Sequence, residues 1–330
     1  MSDYRKIWAE SLTYKGLIIE DPDYHIWGSS PIWGDDGKVH VFAARIPVVT
    51  GFDTWWATSQ IAHYAADRPE GPFSLVKVLL KPGQTPVGSW DCGTQHNPSI
   101  KRIDDTYVLS YHASMSTVDK RNRPSQLIGM MTAKSINGPW TKLGKILDPP
   151  THRQVPLVPE DYNGGTDNPA LIKHPDGRYH LYYRIKFPGM EGRNTYGVAM
   201  ADNLQGPYDY HPARVVNNPG YIEDPYVFIL DGTFYMLVTD NDNGGGGRWL
   251  RSADGLFFDY DDGVKAYKPL AAYVTADEFD TSTHYRSPNF ERPQLLLKDG
   301  VPTHLYAPCG SNVNGGPGTA CYLFELGDIS

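Results

Sequence analysis

The chain has 330 residues, of which 40% are hydrophobic and 12% aromatic, and this composition supplies a large packed core and excludes global disorder. The formal net charge of −8 excludes the basic face that nucleic acids and anionic membranes require. Three scattered cysteines form no CxxC pair, which argues against a zinc knuckle or a disulfide framework.

The N-terminal segment predicts where the protein resides. Residues 1–12 contain no apolar stretch typical of a signal peptide, and no apolar run has the length of a membrane span. We therefore expect a cytoplasmic protein, with a periplasmic location left open if further residues precede this sequence.

A repeated unit organises the chain. Each of five copies begins with a polar residue and a proline, at Pro31, Pro98, Pro169, Pro225 and Pro293. An apolar run follows, then a turn usually written Asp-Gly, then a run rich in Tyr or Phe. Apolar runs joined by such turns are typical of β-hairpins, and proline is tolerated at the start of a strand.

Further strands complete each copy. A third apolar run follows every hairpin, and in three copies a Gly-Pro-aromatic loop then leads to a fourth. Four strands in each of five repeats predict an all-β, five-bladed β-propeller in which residues 1–330 form a single catalytic domain. The last copy ends after its third strand, so residues 11–20 are predicted to supply its outer strand. The alternative is another all-β array, such as a β-sandwich with accidental periodicity.

The same pattern predicts a polar site at one mouth of the central channel. First strands line the channel of a propeller, so residues before the five prolines and at the ends of the second strands should converge there. A single such residue can equally cap a turn, but the whole set is typical of a pocket for a polar ligand. The set contains His25, Trp27, Ser29, Ser30, Arg45, Asp91, Gln95, His96, Asn97, His112, Thr166, Asp167, Asn168, Arg184, Lys186, Glu223, Asp224, Asp240, Glu291 and Arg292.

The blade pattern and the residues before each proline resemble the five-bladed glycoside hydrolases of family 43 and the related family 117. The resemblance implies that Glu223 is the general acid and that Asp167, with Asn168 as a neighbouring candidate, tunes its pKa. We expect Asp167 to raise that pKa by like-charge repulsion. Of the adjacent Glu223 and Asp224, we expect one to face the funnel, because neighbouring strand residues alternate between faces.

The catalytic base of family 43 has no counterpart here. It would fall at Ser29-Ser30-Pro31, where the sequence has no carboxylate. Nearby carboxylates that could replace it are Asp21, Asp23, Asp53 and Asp91. Family 117 uses a histidine as its acid, and this implies His96 or His284 as alternative proton donors.

Three functions fit these residues. The first is an exo-acting glycoside hydrolase that removes a terminal sugar from a plant or algal oligosaccharide, with Trp27, Trp55 and Trp56 stacking on sugar rings. The second is a lyase or dehydratase acting on a terminal uronic acid, whose carboxylate would be held by cations. The third is a sugar-binding propeller without catalysis. The cations are Arg45, Arg184, Lys186, Arg286 and Arg292.

The histidines form no HExxH or HxH cluster, so we expect no cofactor and no catalytic metal. A structural or channel ion stays open. The expected partner is an oligosaccharide, neutral or anionic, with neither nucleic acid nor membrane.

Overall fold

A computed structural model describes residues 3–115, 126–162, 164–186, 194–217, 220–242, 244–275, 289–311 and 318–327, and for Lys186 the backbone alone. In these residues, twenty strands form five four-stranded antiparallel sheets. The first strands of neighbouring sheets contact one another around a central channel. The predicted five-bladed β-propeller is therefore confirmed.

The blades are numbered in chain order. Blade one consists of β2 (Tyr24–Trp33), β3 (Val39–Pro47), β4 (Gln60–Ala66) and β5 (Ser74–Leu80). Blade two consists of β6 (Thr94–Ile103), β7 (Thr106–Ser114), β8 (Leu127–Ala133) and β9 (Thr141–Leu147). Blade three consists of β10 (Asp167–Lys173), β11 (Tyr179–Lys186), β12 (Asn194–Ala201) and β13 (Asp209–Tyr210). Blade four consists of β14 (Ile222–Leu230), β15 (Thr233–Asp240), β16 (Gly247–Ser252) and β17 (Val264–Tyr267).

Blade five combines both ends of the chain. It consists of β18 (Gln294–Lys298), β19 (Val301–Ser311), β20 (Gly318–Glu325) and, as its outer strand, β1 (Thr13–Ile19). The described helices are α1 (Tyr4–Ser11), α2 (Trp55–Thr58) and the 3₁₀ turns Val48–Thr50, Phe52–Thr54 and Leu270–Ala272. None of the helices in the described part of the chain is long and apolar enough to cross a membrane.

A bulge near the start of the inner strands positions the site. In the first four blades the register of the opening hairpin shifts beside the proline, for example between Glu223 and Tyr226. The residue before the proline has a positive φ in blades two to five, at Asn97, Asn168, Asp224 and Arg292. Such a bulge re-aims side chains, and Asn and Asp tolerate the left-handed conformation best. These four side chains consequently meet at the channel.

Buried histidines make the stability of the fold depend on pH. His63 on β4 is fully buried against Phe42 and His40. Burial, together with the charges of His40 and Lys77, lowers its pKa to about 3. In the unfolded chain the pKa of His63 is about 6.5, so below this pH protonation of His63 favours the unfolded chain. The contribution of His63 to the stability of the fold is therefore complete above about pH 6.5 and is lost as the pH falls towards 3.

We expect the free energy of unfolding to fall by about 2 kcal/mol between pH 7 and pH 5 through His63 alone, since one pKa unit corresponds to about 1.4 kcal/mol. Denaturant unfolding at both pH values measures this loss, and His63→Phe should remove it. The exposed His152→Ala is the control. An unchanged pH dependence in His63→Phe would show that this imidazole is not held neutral in the folded protein.

Candidate active site

A polar cavity of about 370 Å³ opens at the funnel mouth, where the inner strands begin. Residues from all five blades line it. They are Trp27, Phe52, Asp53, Trp55, His96, Asn97, His112, Asn168, Arg184, Asn194, Tyr221, Glu223, Asp224 and Glu291.

A wider cavity of about 670 Å³ lies at the opposite mouth, among residues such as Ile100, Tyr226 and Leu295. Its described lining includes one carboxylate, Asp299, so it lacks a carboxylate pair for acid–base chemistry. The funnel cavity has four carboxylates and two imidazoles in its lining. The smaller cavity is therefore the candidate active site.

A hydrogen-bonded belt closes the floor of the funnel. Asn97 Nδ2 donates to Asn168 Oδ1 at 2.7 Å, and Asn168 Nδ2 donates to Asp224 Oδ1 at 2.6 Å. The guanidinium of Arg292 donates to the Asn97 carbonyl at 2.8 Å and lies 3.5 Å from Asp224 Oδ1. Blades two to five are joined in this way across the channel.

Lys101 forms a second closure below the belt. Its Nζ reaches from blade two to the carbonyl of Val227 on blade four at 3.1 Å, above the ring of Tyr226. Burial lowers the pKa of Lys101 well below its ordinary value. The funnel therefore ends blindly towards the opposite mouth.

Arg184 lies between Asp167 and Glu223, the two carboxylates to which the resemblance gives catalytic roles. Its Nε and Nη2 donate to Asp167 at 2.7 and 2.8 Å, and its Nη1 lies 2.7 Å from Glu223 Oε1. Asn194 Nδ2 donates to the same oxygen at 3.2 Å. Burial alone would lower the pKa of Arg184, but the two carboxylates raise it well above its ordinary value. The expectation of simple repulsion between Asp167 and Glu223 needs correction, because a cation lies between them.

Glu223 and Asp224 both line the cavity, contrary to the expectation that one would face it. The bulge at Asp224, where φ is 63°, breaks the alternation of the strand. Oxygens of Glu223, Asp224 and Glu291 lie within 4.8 Å of one another. Such oxygens suit a hard cation, but Asp224 already accepts bonds from Thr239, Asn168 and the Arg292 backbone. Its role is in the floor of the funnel.

An aromatic wall faces these acids. Trp55 stacks on His96 with ring centroids 4.9 Å apart, and Phe52 packs edge-on against Trp27 at 4.9 Å. Ser59 Oγ lies 2.7 Å from His96 Nδ1 and fixes that ring. Flat aromatic faces of this kind suit the C–H faces of sugar rings.

One carboxylate of blade one lines the described part of the cavity, and it is Asp53. It belongs to the segment between β3 and β4 and is exposed at the rim. Asp91 is buried against Lys142 at 2.6 Å, and Asp21 lies 3.7 Å from Arg45. Of the four carboxylates considered for the missing base, Asp53 is therefore the best placed.

Six of the residues predicted to bind substrate do not line the cavity. Asp91 bonds Lys142, Arg45 lies against Asp21 and Tyr24, and Ser30 bonds Gln294 below the belt. Asp240 is fully buried against Arg248 and Tyr260. Arg292 supports the floor, and Trp56 lies beside the cavity on α2.

Five further residues of the predicted set are buried and do not line the cavity either: His25, Ser29, Gln95, Thr166 and Asp167. The others divide between the cavity and the part of the chain that is not described. Trp27, Trp55, Asn97, His112, Asn168 and Arg184 line the funnel. His284, Arg286 and the side chain of Lys186 lie outside the described residues. Sequence reasoning missed Phe52, Asn194 and Tyr221, and the signal for Phe52 was its place beside Asp53 and the two tryptophans.

Comparison with known proteins finds similar sequences and folds among glycoside hydrolases. No family model matches the chain. Arabinan endo-1,5-alpha-L-arabinosidase A of Aspergillus niger is 28% identical over 150 residues, which are 43% of this chain and 41% of that protein. The chain thus spans about two fifths of the length of this curated relative.

Solved structures resemble the chain over nearly all its length. A family 117 glycoside hydrolase of the marine bacterium Zobellia galactanivorans has a TM-score of 0.67 and 17% identity, over 96% of this chain and 90% of that one. A thermostable family-43 glycoside hydrolase has a TM-score of 0.62 and 12% identity, over 96% of each chain. The resemblance to the five-bladed propellers of families 43 and 117 is thereby confirmed at the level of the fold.

Proposed function

We propose that the protein is an exo-acting glycoside hydrolase that removes a terminal sugar from a plant or algal oligosaccharide. The observation that carries the proposal is Glu223, which reaches the funnel cavity and is held there by Arg184 and Asn194. The named relative acts on arabinan, and the solved neighbours are glycoside hydrolases, which supports this class of reaction. The closed floor supports exo action, because a chain end can enter the funnel but cannot pass through it.

The proposed mechanism uses two carboxyl groups on opposite sides of the sugar. Glu223 gives its proton to the glycosidic oxygen as the bond from that oxygen to the anomeric carbon breaks. A water molecule attacks the anomeric carbon from the blade-one side, and Asp53 takes the proton that this water loses. Asp167 acts through Arg184 as a positioning residue for Glu223. The product has inverted anomeric configuration.

Asp53→Asn tests the base. We expect kcat to fall about 10²- to 10³-fold, because the attacking water is no longer deprotonated. The loss should be similar for alkyl and aryl glycosides of the same sugar, since the base acts on water and not on the leaving group. Steady-state kinetics on both substrates provide the measurement.

Asp21→Asn is the matched control, because Asp21 lies beside Arg45 outside the cavity lining. Full activity in Asp53→Asn would reject Asp53 as the base. If Glu291→Gln then abolished turnover of both substrates, the second catalytic carboxylate would be Glu291, which lies within 4.8 Å of Glu223 and at that separation suits a nucleophile better than an inverting base.

The uronate lyase has less support from the described residues. Arg184 pairs with Asp167 and Glu223, and Arg292 pairs with Asp224, so carboxylates of the protein itself occupy both guanidinium groups. Incubation with neutral and uronate-terminated oligosaccharides, followed by mass spectrometry, separates the two reactions. Hydrolysis adds one water to the products, whereas cleavage without water uptake, or loss of water from an intact acidic oligosaccharide, would overturn the proposal.

A further inference from the structure

A second cluster of ligating side chains lies outside the funnel lining, on the opening hairpin of blade three. His174, Asp176 and His180 each offer a nitrogen or oxygen within 4.8 Å of the others. The turn between β10 and β11 is closed by hydrogen bonds from the His174 amide to the Arg178 carbonyl and from the Gly177 amide to the His174 carbonyl. A short, closed turn holds the backbone of the cluster in place.

Strand register puts both imidazoles on one face of the blade. His180 pairs directly with Ile172, and His174 lies two residues beyond Ile172. Because strand side chains alternate, the two rings project to the same side. They stack with centroids 4.3 Å apart, and His174 also stacks on Phe234 of blade four at 5.2 Å.

His180 carries the second, independent observation. Its side chain is 1% exposed, and neither ring nitrogen has a hydrogen-bond partner in the described structure. Burying a polar group without a partner costs free energy, and buried histidines normally satisfy at least one nitrogen.

Blade one contains an Asp and a His at the same spacing, but there the histidine has hydrogen-bond partners. Asp36 and His40 are four residues apart, as are Asp176 and His180. There, however, His40 Nδ1 lies 2.7 Å from His63 Nε2, and His40 Nε2 lies 2.9 Å from Asp36. Both ring nitrogens of His40 in blade one therefore have partners, whereas neither ring nitrogen of His180 in blade three has one in the described structure.

We propose that His174, Asp176 and His180 bind a divalent transition-metal ion, with Zn²⁺ as the best match to two imidazoles and a carboxylate. Ligand bonds of about 2.1 Å place tetrahedral donors roughly 3.4 Å apart. His174 Nδ1 and Asp176 Oδ1 are already 2.9 Å apart, and all three ligand atoms lie within 4.8 Å of one another, so the longest separation must shorten by at most about 1.4 Å. His174, which is half-buried at the surface, supplies this movement by rotating out of the stack. Asp176 Oδ1 lies 2.9 Å from His174 Nδ1 and accepts from the Arg178 amide at 2.9 Å, so it offers its second lone pair to the ion while the Arg178 side chain holds Oδ2.

Titration of the full chain, freed of metal by chelation, with ZnCl₂ in calorimetry tests the site. We expect one equivalent to bind and to raise the melting temperature. His180→Phe should weaken binding at least tenfold and keep the fold, because it replaces an unpartnered buried ring by an apolar one. His174→Ala should weaken binding in the same way, and the Co²⁺-loaded protein should show a visible ligand-field band that both variants lose.

Two control variants make the result specific. The exposed His152→Ala should bind Zn²⁺ like the original protein, and so should Glu291→Gln, which removes one carboxylate of the funnel. Absence of binding would overturn the proposal. Binding that survives in His180→Phe, or that disappears in Glu291→Gln, would overturn it as well and would locate the ion in the funnel in the second case.

Discussion

Glu223→Gln is expected to lower kcat on an oligosaccharide about 10³- to 10⁴-fold, while hydrolysis of a dinitrophenyl glycoside of the same sugar stays close to that of the original enzyme. A general acid protonates the departing oxygen, and only a poor leaving group needs that proton. Glutamine keeps the oxygen that accepts from Arg184 and Asn194, so the substitution removes the acidic proton and little else. Steady-state kinetics on the two substrates measure the difference.

Glu291→Gln is the matched control for this experiment, since it neutralises a neighbouring carboxylate in the same cavity. As a bystander it should affect both substrates to the same small extent. An equal loss on both substrates in Glu223→Gln would show that Glu223 is not the acid. The donor to examine next would be His96, whose ring is fixed by Ser59 and Trp55 in the cavity wall.

Arg292→Met is expected to destabilise the fold by about 3–5 kcal/mol, because it leaves Asp224 as a buried carboxylate without its cation. Arg292 is fully buried and Asp224 is 3% exposed. Burial lowers the pKa of Arg292, and Asp224 opposes that effect. Methionine is chosen because it fills most of the volume of the arginine stem. Denaturant unfolding at pH 7 measures the loss of stability.

A double variant separates the charge from the packing. Arg292→Met combined with Asp224→Asn should be less destabilised than the sum of the two single variants, since no charge is left without its partner. Arg251→Met is the surface control, because Arg251 and Asp262 are each about half exposed and an exposed pair contributes about 0–1 kcal/mol. Additive losses in the double variant would contradict the proposed coupling across the channel.

The fold was predictable from the sequence because its determinants are local. Apolar runs and the prolines recur in every blade, four of the five turns are Asp-Gly, and each hairpin forms from residues that are close in the chain. The position of Glu223 and Asn168 at the funnel followed from the same repeat. Other expectations stay predictions: the cytoplasmic location, the lack of a cofactor, and the choice between neutral and anionic substrates.

The rest of the site depends on geometry that the sequence pattern does not contain. Asp240 ends the second strand of its blade, and Arg184 lies two residues before the end of the second strand of blade three, yet Asp240 is buried beside Arg248 while Arg184 lines the funnel. Alternation predicted that one of Glu223 and Asp224 would face the funnel, but a bulge at Asp224 that no composition rule locates turns both side chains towards it. Asp53 reaches the funnel through the path of the loop between β3 and β4, which only the folded chain reveals.

Under the proposed exo action, the two side chains that cross the channel, Arg292 and Lys101, have a consequence for the order in which products leave. A sugar bound at the end of a blind funnel lies behind the remainder of its own chain. After cleavage the shortened chain must depart first, and the monosaccharide can follow only through the same opening. Such an enzyme releases its substrate after every cut, and the liberated sugar competes directly with the next chain end for the same space.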